Sequence, residues 1–152
     1  MYVLATHTGD RGVRVRRIAP DGIISHSAGS TTVLCGYGEV DACADGIPAL
    51  TAPMGFPRYL AVRPDGSVMI VDLKNGVIWK VGPTGIRTLY AGRVTMYGRP
   101  YVVGDGGPAL AADLGNVNQF AAGPDGAIYF STSAGLVRRV SAEGIIDRKS
   151  VV

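Results

Sequence analysis

The chain is built from short apolar segments separated by turns that contain glycine. In residues 59–92 the segments are YLAVR, SVMIVD, VIWKV and IRTLYAG, and the turns between them are PDG, LKNG and GPTG. Short segments rich in Val, Ile and Tyr and interrupted by Pro-Asp-Gly and Asn-Gly are typical of an antiparallel meander. The pattern therefore predicts four consecutive antiparallel strands in this part of the chain.

This pattern recurs along the sequence. RYLAVRPDG at 58–66 returns as NQFAAGPDG at 118–126, and ADGIPA at 44–49 returns as GDGGPA at 104–109. A further segment occurs in three versions, RVRRIAPDG, VIWKVGPTG and LVRRVSAEG. A four-stranded antiparallel unit that repeats at a fixed period predicts the blades of a β-propeller.

We therefore expect an all-β fold, a partial β-propeller of about three four-stranded antiparallel blades. The predicted divisions are an incomplete first blade at 1–30, a second blade at 44–92, a third blade at 104–152, and inter-blade loops at 31–43 and 93–103. The first copy begins with YVLATHTG, which aligns with the second strand of a blade, so its innermost strand is missing. Because propellers close with roughly four to eight blades, we expect a fragment of a larger protein, with a ring completed by two chains as the alternative.

Composition agrees with a folded chain. The 152 residues are 47% hydrophobic and 18% charged, which excludes a disordered tail and a coiled coil. No apolar run approaches the roughly 20 residues that a membrane helix needs, and no export leader is visible. We expect no membrane span. The net charge of +3 is too small to predict a dedicated nucleic-acid surface.

The repeats resemble the NHL-repeat family of β-propellers. The resemblance rests on GDGGPALAADL, AAGPDG, AIYFS and LVRRV in the third copy, and on ADGIPALTAPM, AVRPDG, VMIVD and YAG in the second. It is best with the bacterial extracellular, teneurin-like members, which implies an extracellular or periplasmic location and a non-catalytic scaffold that binds a protein or a glycan. It leaves one alternative, part of an enzymatic propeller of the lactonase or peptide-amidating-lyase type with a metal in the central channel.

Four polar or aromatic residues are candidates for ligand binding at the channel mouth: Arg58, Tyr59, Asn118 and Gln119. They lie where the innermost strands of the second and third copies begin. They differ between copies while the surrounding residues stay the same, which fits a binding face and fits unconstrained loop ends equally well.

Asp45 and Asp105 are weak candidates for calcium ligands, because each loop supplies one carboxylate and some backbone carbonyls. An Asx-type turn explains the same residues better. The run from Gly104 to Ala109 also fits the dinucleotide pattern G-x-G-x-x-A, but the copy at 44–49 keeps Gly46 and loses the other glycines, so we interpret both runs as structural loops. We expect no cofactor.

Cys35 and Cys43 are predicted to form either a disulfide across a short glycine-containing loop or two buried thiols. No catalytic constellation stands out, since His7 and His26 are far apart in sequence and Glu39 and Glu143 do not pair. Basic residues recur in the third predicted strand of each copy: Arg14, Arg16, Arg17, Lys80, Arg138 and Arg139. They form either a basic row around the ring or ordinary solvent-facing positions on peripheral strands.

Overall fold

The computed structural model describes residues 1–6, 13–30, 35, 43–94 and 102–149. Within these ranges the strands, in chain order, are β1 (Tyr2–Thr6), β2 (Val13–Ile18), β3 (Ile24–Ala28), β4 (Ile47–Pro48), β5 (Pro57–Val62), β6 (Val68–Asp72), β7 (Val77–Val81), β8 (Ile86–Ala91), β9 (Val117–Ala122), β10 (Ile128–Thr132), β11 (Val137–Val140) and β12 (Ile146–Arg148). A 3-10 turn covers Ala109–Ala111. No helix in the described ranges is long and apolar enough to cross a membrane.

These strands form three antiparallel sheets, which we call blades A, B and C. Blade A has the order β1-β2-β3, blade B the order β4-β8-β7-β6-β5, and blade C the order β12-β11-β10-β9. The expected all-β fold and its consecutive antiparallel strands are confirmed, and the chain is a partial β-propeller. Blade B gains a short fifth strand because the loop that carries β4 pairs with the outer edge of β8.

Two apolar cores lie between the blades. Between A and B, the ring of Trp79 is fully buried with Ile70 and Val15. Between B and C, Met69 and Phe130 are buried in the same way. Each blade therefore uses both of its faces when a neighbour is present, which explains why β6 is an uninterrupted apolar run instead of an alternating one.

A blade-crossing loop, residues 45–49, connects blade A to blade B. The carbonyl of Ala49 accepts the N–H of Gly29 at the end of blade A (2.9 Å), and its own N–H donates to the carbonyl of Gly85 in blade B (2.8 Å). Ala49 is completely buried. The backbone of Ala49 thus hydrogen-bonds to both blades, and the N–H of Ser30 adds a further bond to the carbonyl of Ala52 (3.1 Å).

The second blade-crossing loop, residues 105–109, repeats this arrangement between blades B and C. The carbonyl of Ala109 accepts the N–H of Gly92 (2.9 Å), and its N–H donates to the carbonyl of Gly144 (2.8 Å). Gly92 has φ +87°, and a Cβ there would lie 2.4 Å from the carbonyl oxygen of Gly76. The close approach of neighbouring backbone therefore requires glycine at position 92.

Near each blade-crossing loop, a buried guanidinium donates hydrogen bonds to backbone carbonyls that are shielded from water. In blade C, Arg138 on β11 donates to the carbonyls of Asp113 (2.8 Å) and Val103 (3.2 Å). In blade B, Arg87 on β8 donates to the carbonyls of Pro53 and Ala44. The two arginines come from different strands, but each donates to the carbonyl at one shared repeat position, Pro53 in blade B and Asp113 in blade C, since buried carbonyls require donors.

Arg87 also lies against the ring of Trp79, with its guanidinium carbon 3.9 Å from the ring centroid. Burial lowers the pKa of Arg87 to about 10, against the opposing effects of Asp72 and Asp45. Arg87 therefore remains a cation at neutral pH, and its charge is stabilised by an aromatic face as well as by carbonyls.

The Pro-Asp-Gly turns take the conformation expected from their sequence. Asp65 accepts the N–H of Ser67 (2.9 Å), and Asp125 accepts the N–H of Ala127 (3.0 Å), as in an Asx turn. The hydrogen bond from Ser67 is the main reason that the pKa of Asp65 is lowered. Gly66 supplies the positive φ of 81° that closes the turn.

The blade crossing gives a testable consequence. Gly92→Ala adds a Cβ to a residue with positive φ in contact with neighbouring backbone, whereas Gly22→Ala adds one at φ +83° with nothing within 4 Å. We expect Gly22→Ala to lower the free energy of unfolding by about 1 kcal/mol through backbone strain alone. Gly92→Ala should lower it by about 2 kcal/mol more because of crowding. Urea denaturation of both variants measures the free energy of unfolding. An equal loss of free energy in the two variants would contradict the close backbone contact at Gly92.

Candidate binding cleft

An open cleft of about 500 Å³ lies on blade C and extends across the innermost strands to blade B. Its lining contains four aromatic rings, an amide, a hydroxyl and two small apolar side chains: Tyr59, Phe120, Tyr129, Phe130, Gln119, Ser131, Ala121 and Val137. Clefts with aromatic walls and few polar groups are typical ligand sites.

Strand register places five lining residues on one face of blade C, namely Gln119, Ala121, Tyr129, Ser131 and Val137. The other three, Tyr59, Phe120 and Phe130, contact the core between blades B and C and reach the cleft from that side. Gln119, Ser131 and Val137 are cross-strand partners in one row of β9, β10 and β11. Phe130 and Ile128 alternate with Ser131 and Tyr129 along β10, and they pack into the core between blades B and C. Because successive residues of a strand point to opposite faces, the row that contains Ser131 belongs to the face of blade C directed away from blade B.

This face is more polar in blade C than in the other two blades. Ser131 occupies the register position of Leu4 in blade A and of Val71 in blade B. Gln119, its partner on β9, occupies the position of Tyr59 on β5. Leu4, Val71 and Tyr59 all pack against apolar cores. The face of blade C has therefore exchanged apolar packing for hydrogen-bonding groups.

A small charged network borders the cleft. Arg139 donates to the hydroxyl of Tyr129 (3.1 Å) and to the carboxylate of Asp125 (2.9 Å). The hydrogen bond from Arg139 is the main reason that the pKa of Asp125 is lowered, and the same bond raises the pKa of Arg139. The network holds the Tyr129 ring at the border of the cleft.

The lining can bind a ligand without chemical change. The rings of Tyr59 and Tyr129 offer apolar faces with a hydroxyl at one end, a combination suited to ligands that are partly apolar and partly hydrated. The amide of Gln119 both donates and accepts hydrogen bonds, and so does the hydroxyl of Ser131. Such groups fit the hydroxyls of a sugar or the backbone of a peptide.

The structure brings together two of the four residues predicted at the channel mouth. Tyr59 and Gln119 both line the cleft. Arg58 and Asn118 are exposed and are not part of its lining. Arg58 and Asn118 each lie at an irregularity in the pairing of their strand, so simple alternation does not fix the direction of their side chains. That any of these four residues binds a ligand stays a prediction.

The two candidate calcium ligands have other partners. Asp45 accepts the N–H groups of Gly46 (3.0 Å) and Leu89 (2.6 Å). Asp105 accepts a hydrogen bond from the buried Arg138 (2.8 Å) instead of from the backbone ahead of it. Among the described residues, no group of three His, Cys, Asp or Glu side chains is arranged to hold a metal ion.

Cys35 and Cys43 form a disulfide, with Cα atoms 5.1 Å apart. Asn75 donates to the sulfur of Cys35 (3.1 Å) and to the carboxylate of Asp72 (2.8 Å). Asn75 belongs to the Asn-Gly turn between β6 and β7. The disulfide is thereby connected to blade B.

Asp72 is a buried hub that the sequence analysis missed. Its carboxylate is fully buried and accepts the N–H groups of Gly55 (2.7 Å) and Phe56 (2.8 Å), the amide of Asn75, and the indole N–H of Trp79 (3.4 Å). An acidic residue that ends an otherwise apolar strand was the available signal. The hub fixes the chain where it enters β5, the strand that carries Tyr59.

The recurring basic residues do not share one face. Arg138 is buried, whereas its neighbour Arg139 pairs with Asp125 on the other face of β11. Trp79 occupies the position of Arg138 in blade B. The interpretation of a single basic row is therefore replaced by two alternating rows.

The other residues considered earlier stay apart. His26 lies 3.0 Å through Nε2 from the carbonyl of Ala28, in blade A. Glu143 is exposed in blade C, and a hydrogen bond from Ser141 lowers its pKa. His7 and Glu39 lie outside the described residues.

Comparison with known proteins supports the fold. No protein family matches the sequence, and no curated protein matches it. Among solved structures, a structural genomics protein of unknown function from Bacteroides thetaiotaomicron matches 90% of this chain at 21% identity with a TM-score of 0.59. Virginiamycin B lyase from Staphylococcus aureus matches 97% of the chain at 16% identity with a TM-score of 0.43. The chain spans 30% of the first protein and 54% of the second.

The network at the cleft predicts a pH effect. The folded-state pKa of Asp125 lies below its unfolded value, so the contact with Arg139 stabilises the fold above the unfolded pKa and is lost as pH falls through the folded pKa. The wild type should therefore be more stable than Arg139→Gln at pH 6, and this difference should shrink toward pH 3. Urea denaturation at several pH values measures it, and a difference that stays constant with pH would contradict the pairing.

Proposed function

We propose that this chain is part of a non-catalytic β-propeller scaffold of the NHL type, and that the cleft on blade C binds a protein or glycan ligand. The proposal is carried by one observation, the replacement of apolar packing residues by Gln119 and Ser131 beside two tyrosine rings. A face meant only to pack against another blade gains nothing from an unpartnered amide, because burying it costs free energy. A ligand with hydroxyl or peptide groups provides the missing partners.

The NHL assignment is supported by the repeated motifs. Two copies of the D-G-x-P-A sequence form equivalent blade crossings at 45–49 and 105–109, and two Pro-Asp-Gly turns form equivalent Asx turns. These contacts give each motif residue a structural role in the repeat.

The cleft is tested with an array of soluble glycans and a displayed library of random peptides, used to probe the purified chain. For ligands found there, Tyr129→Ala and Gln119→Ala should each weaken binding about tenfold, which corresponds to the loss of one aromatic contact or one hydrogen-bonded group. Lys149→Ala is the matched control on the same blade, because Lys149 is exposed and pairs with Asp147.

Binding that survives both cleft substitutions would place the ligand elsewhere and overturn the proposed cleft. Elemental analysis of the same sample distinguishes the enzymatic alternative. A divalent metal bound in a fixed stoichiometric ratio, together with lactone hydrolysis or peptide-amidating lyase activity, would favour that alternative.

We also propose an extracellular or periplasmic location, since disulfides persist in oxidising compartments. The pair Cys35–Cys43 closes a short loop, and loop-closure entropy gives such a bridge about 2.5 kcal/mol of stabilisation.

Replacing Cys35 and Cys43 together with Ser should lower the free energy of unfolding by about that amount without reductant. Added dithiothreitol should bring the wild type down to the level of the variant. Identical denaturation curves for wild type and variant without reductant would remove this support for the location.

A further inference from the structure

Three features of blade A lack the partners that the corresponding features have in blade C. They are the free edge of β1, the guanidinium of Arg16, and the guanidinium of Arg17. We call them together the open edge of blade A.

The first feature is a strand edge. In blades B and C, the strands equivalent to β1 are β6 and β10, and each pairs with an innermost strand, β5 or β9. β1 pairs with β2 only, and no described strand pairs with its other edge. Its backbone groups on that side are free to pair with an added strand.

The second feature is Arg16. It pairs with Val3 across β1 and β2, as Arg138 pairs with Phe130 across β10 and β11. Arg138 is completely buried under a blade-crossing loop and binds Asp105 and two carbonyls of that loop region. Arg16 is half-buried, and no described residue accepts a hydrogen bond from it.

The third feature is Arg17, on the opposite face of β2. At the equivalent position in blade C, Arg139 pairs with Asp125 of the Pro-Asp-Gly turn at 2.9 Å. In blade B, Lys80 lies 4.0 Å from Asp65 of the corresponding turn. Arg17 is exposed, and no described acidic residue pairs with it.

All three missing partners belong to one contiguous segment of the repeat. In blade C, that segment is residues 102–126, which contain the crossing loop, β9 and the Pro-Asp-Gly turn. We propose that the open edge of blade A binds a polypeptide segment of this kind: a D-G-x-P-A loop that covers Arg16, an innermost strand that pairs antiparallel with β1, and an Asp that pairs with Arg17.

A second copy of the described chain does not supply this segment. Both blade-crossing loops are bound to their own blades through Ala49 and Ala109. The innermost strands β5 and β9 each pair on one edge only, but Asp105 and Asp125, which flank β9, are bound to Arg138 and Arg139 of their own blade. The occupant is therefore a further segment with the sequence character of 102–126, and the proposal stands independently of the ligand cleft on blade C.

The probe is a synthetic peptide with the sequence of residues 102–126, added to the full chain and followed by calorimetry. We expect saturable one-to-one binding, slower amide exchange along β1, and no binding of a peptide with the same composition in scrambled order. Arg16→Ala should weaken binding about tenfold, as for a charged hydrogen bond lost from a buried site. Arg17→Ala should weaken it about threefold, as for an exposed ion pair. Arg148→Ala on blade C is the control.

Pairing is assigned by double-mutant cycles with substituted peptides. Arg16→Ala should be non-additive with Asp105→Asn in the peptide, and Arg17→Ala with Asp125→Asn, whereas the crossed pairs should add. Additive effects in all four cycles, or equal binding of the scrambled peptide, would overturn the proposal.

A fusion removes weak affinity as an explanation for a negative result. Joining the 102–126 sequence ahead of Met1 through a flexible Gly-Ser linker raises its effective concentration to about millimolar. A fusion with unchanged β1 exchange and unchanged unfolding free energy would overturn the proposal. Light scattering of the chain alone provides the last check, since a dimer with protected β1 amides would make a second copy the occupant instead.

Discussion

At each passage from blade to blade, the fold is constrained by a buried alanine whose backbone hydrogen-bonds to both blades. Ala49 and Ala109 each accept a hydrogen bond from the blade behind and donate one to the blade ahead. A buried backbone crossing allows no water to satisfy its groups, so every polar atom there needs a protein partner. The same close approach explains Gly29 and Gly92, where a Cβ would lie 2.3 Å and 2.4 Å from a neighbouring carbonyl oxygen.

The remaining carbonyls of the crossing determine where buried charge is placed. They require a donor with several N–H groups, and a guanidinium meets this need better than any other side chain. The backbone fixes where the donor group must lie but not the strand that supplies it. Arg138 reaches the carbonyls from the third strand of its blade, and Arg87 reaches them from the fourth. The apolar cores lie next to these cations, and Trp79 packs against the guanidinium of Arg87.

The sequence predicted the strands because short apolar segments and Pro-Asp-Gly turns depend on local chemistry. It did not predict which of two adjacent arginines is buried, since Arg138 and Arg139 differ only in the face of β11 on which they lie. It identified Tyr59 and Gln119 together with Arg58 and Asn118, because inner-strand positions can be read from the repeat while the direction of the side chain requires the register. Asp72 escaped notice since its four donors come from three separate segments of the chain.

The exchange between Arg87 and Arg138 has a consequence for designing repeats of this kind. In blade C, the third strand carries Arg138, and the fourth carries Ile146 at the position that Arg87 has in blade B. In blade B, the fourth strand carries Arg87, and the third carries Trp79 at the position of Arg138. A consensus sequence assembled position by position can combine arginine at both places and confine two cations to one set of carbonyls. The unit that can be transferred between blades is therefore the residue pair, and libraries built from such repeats need to vary the two positions together.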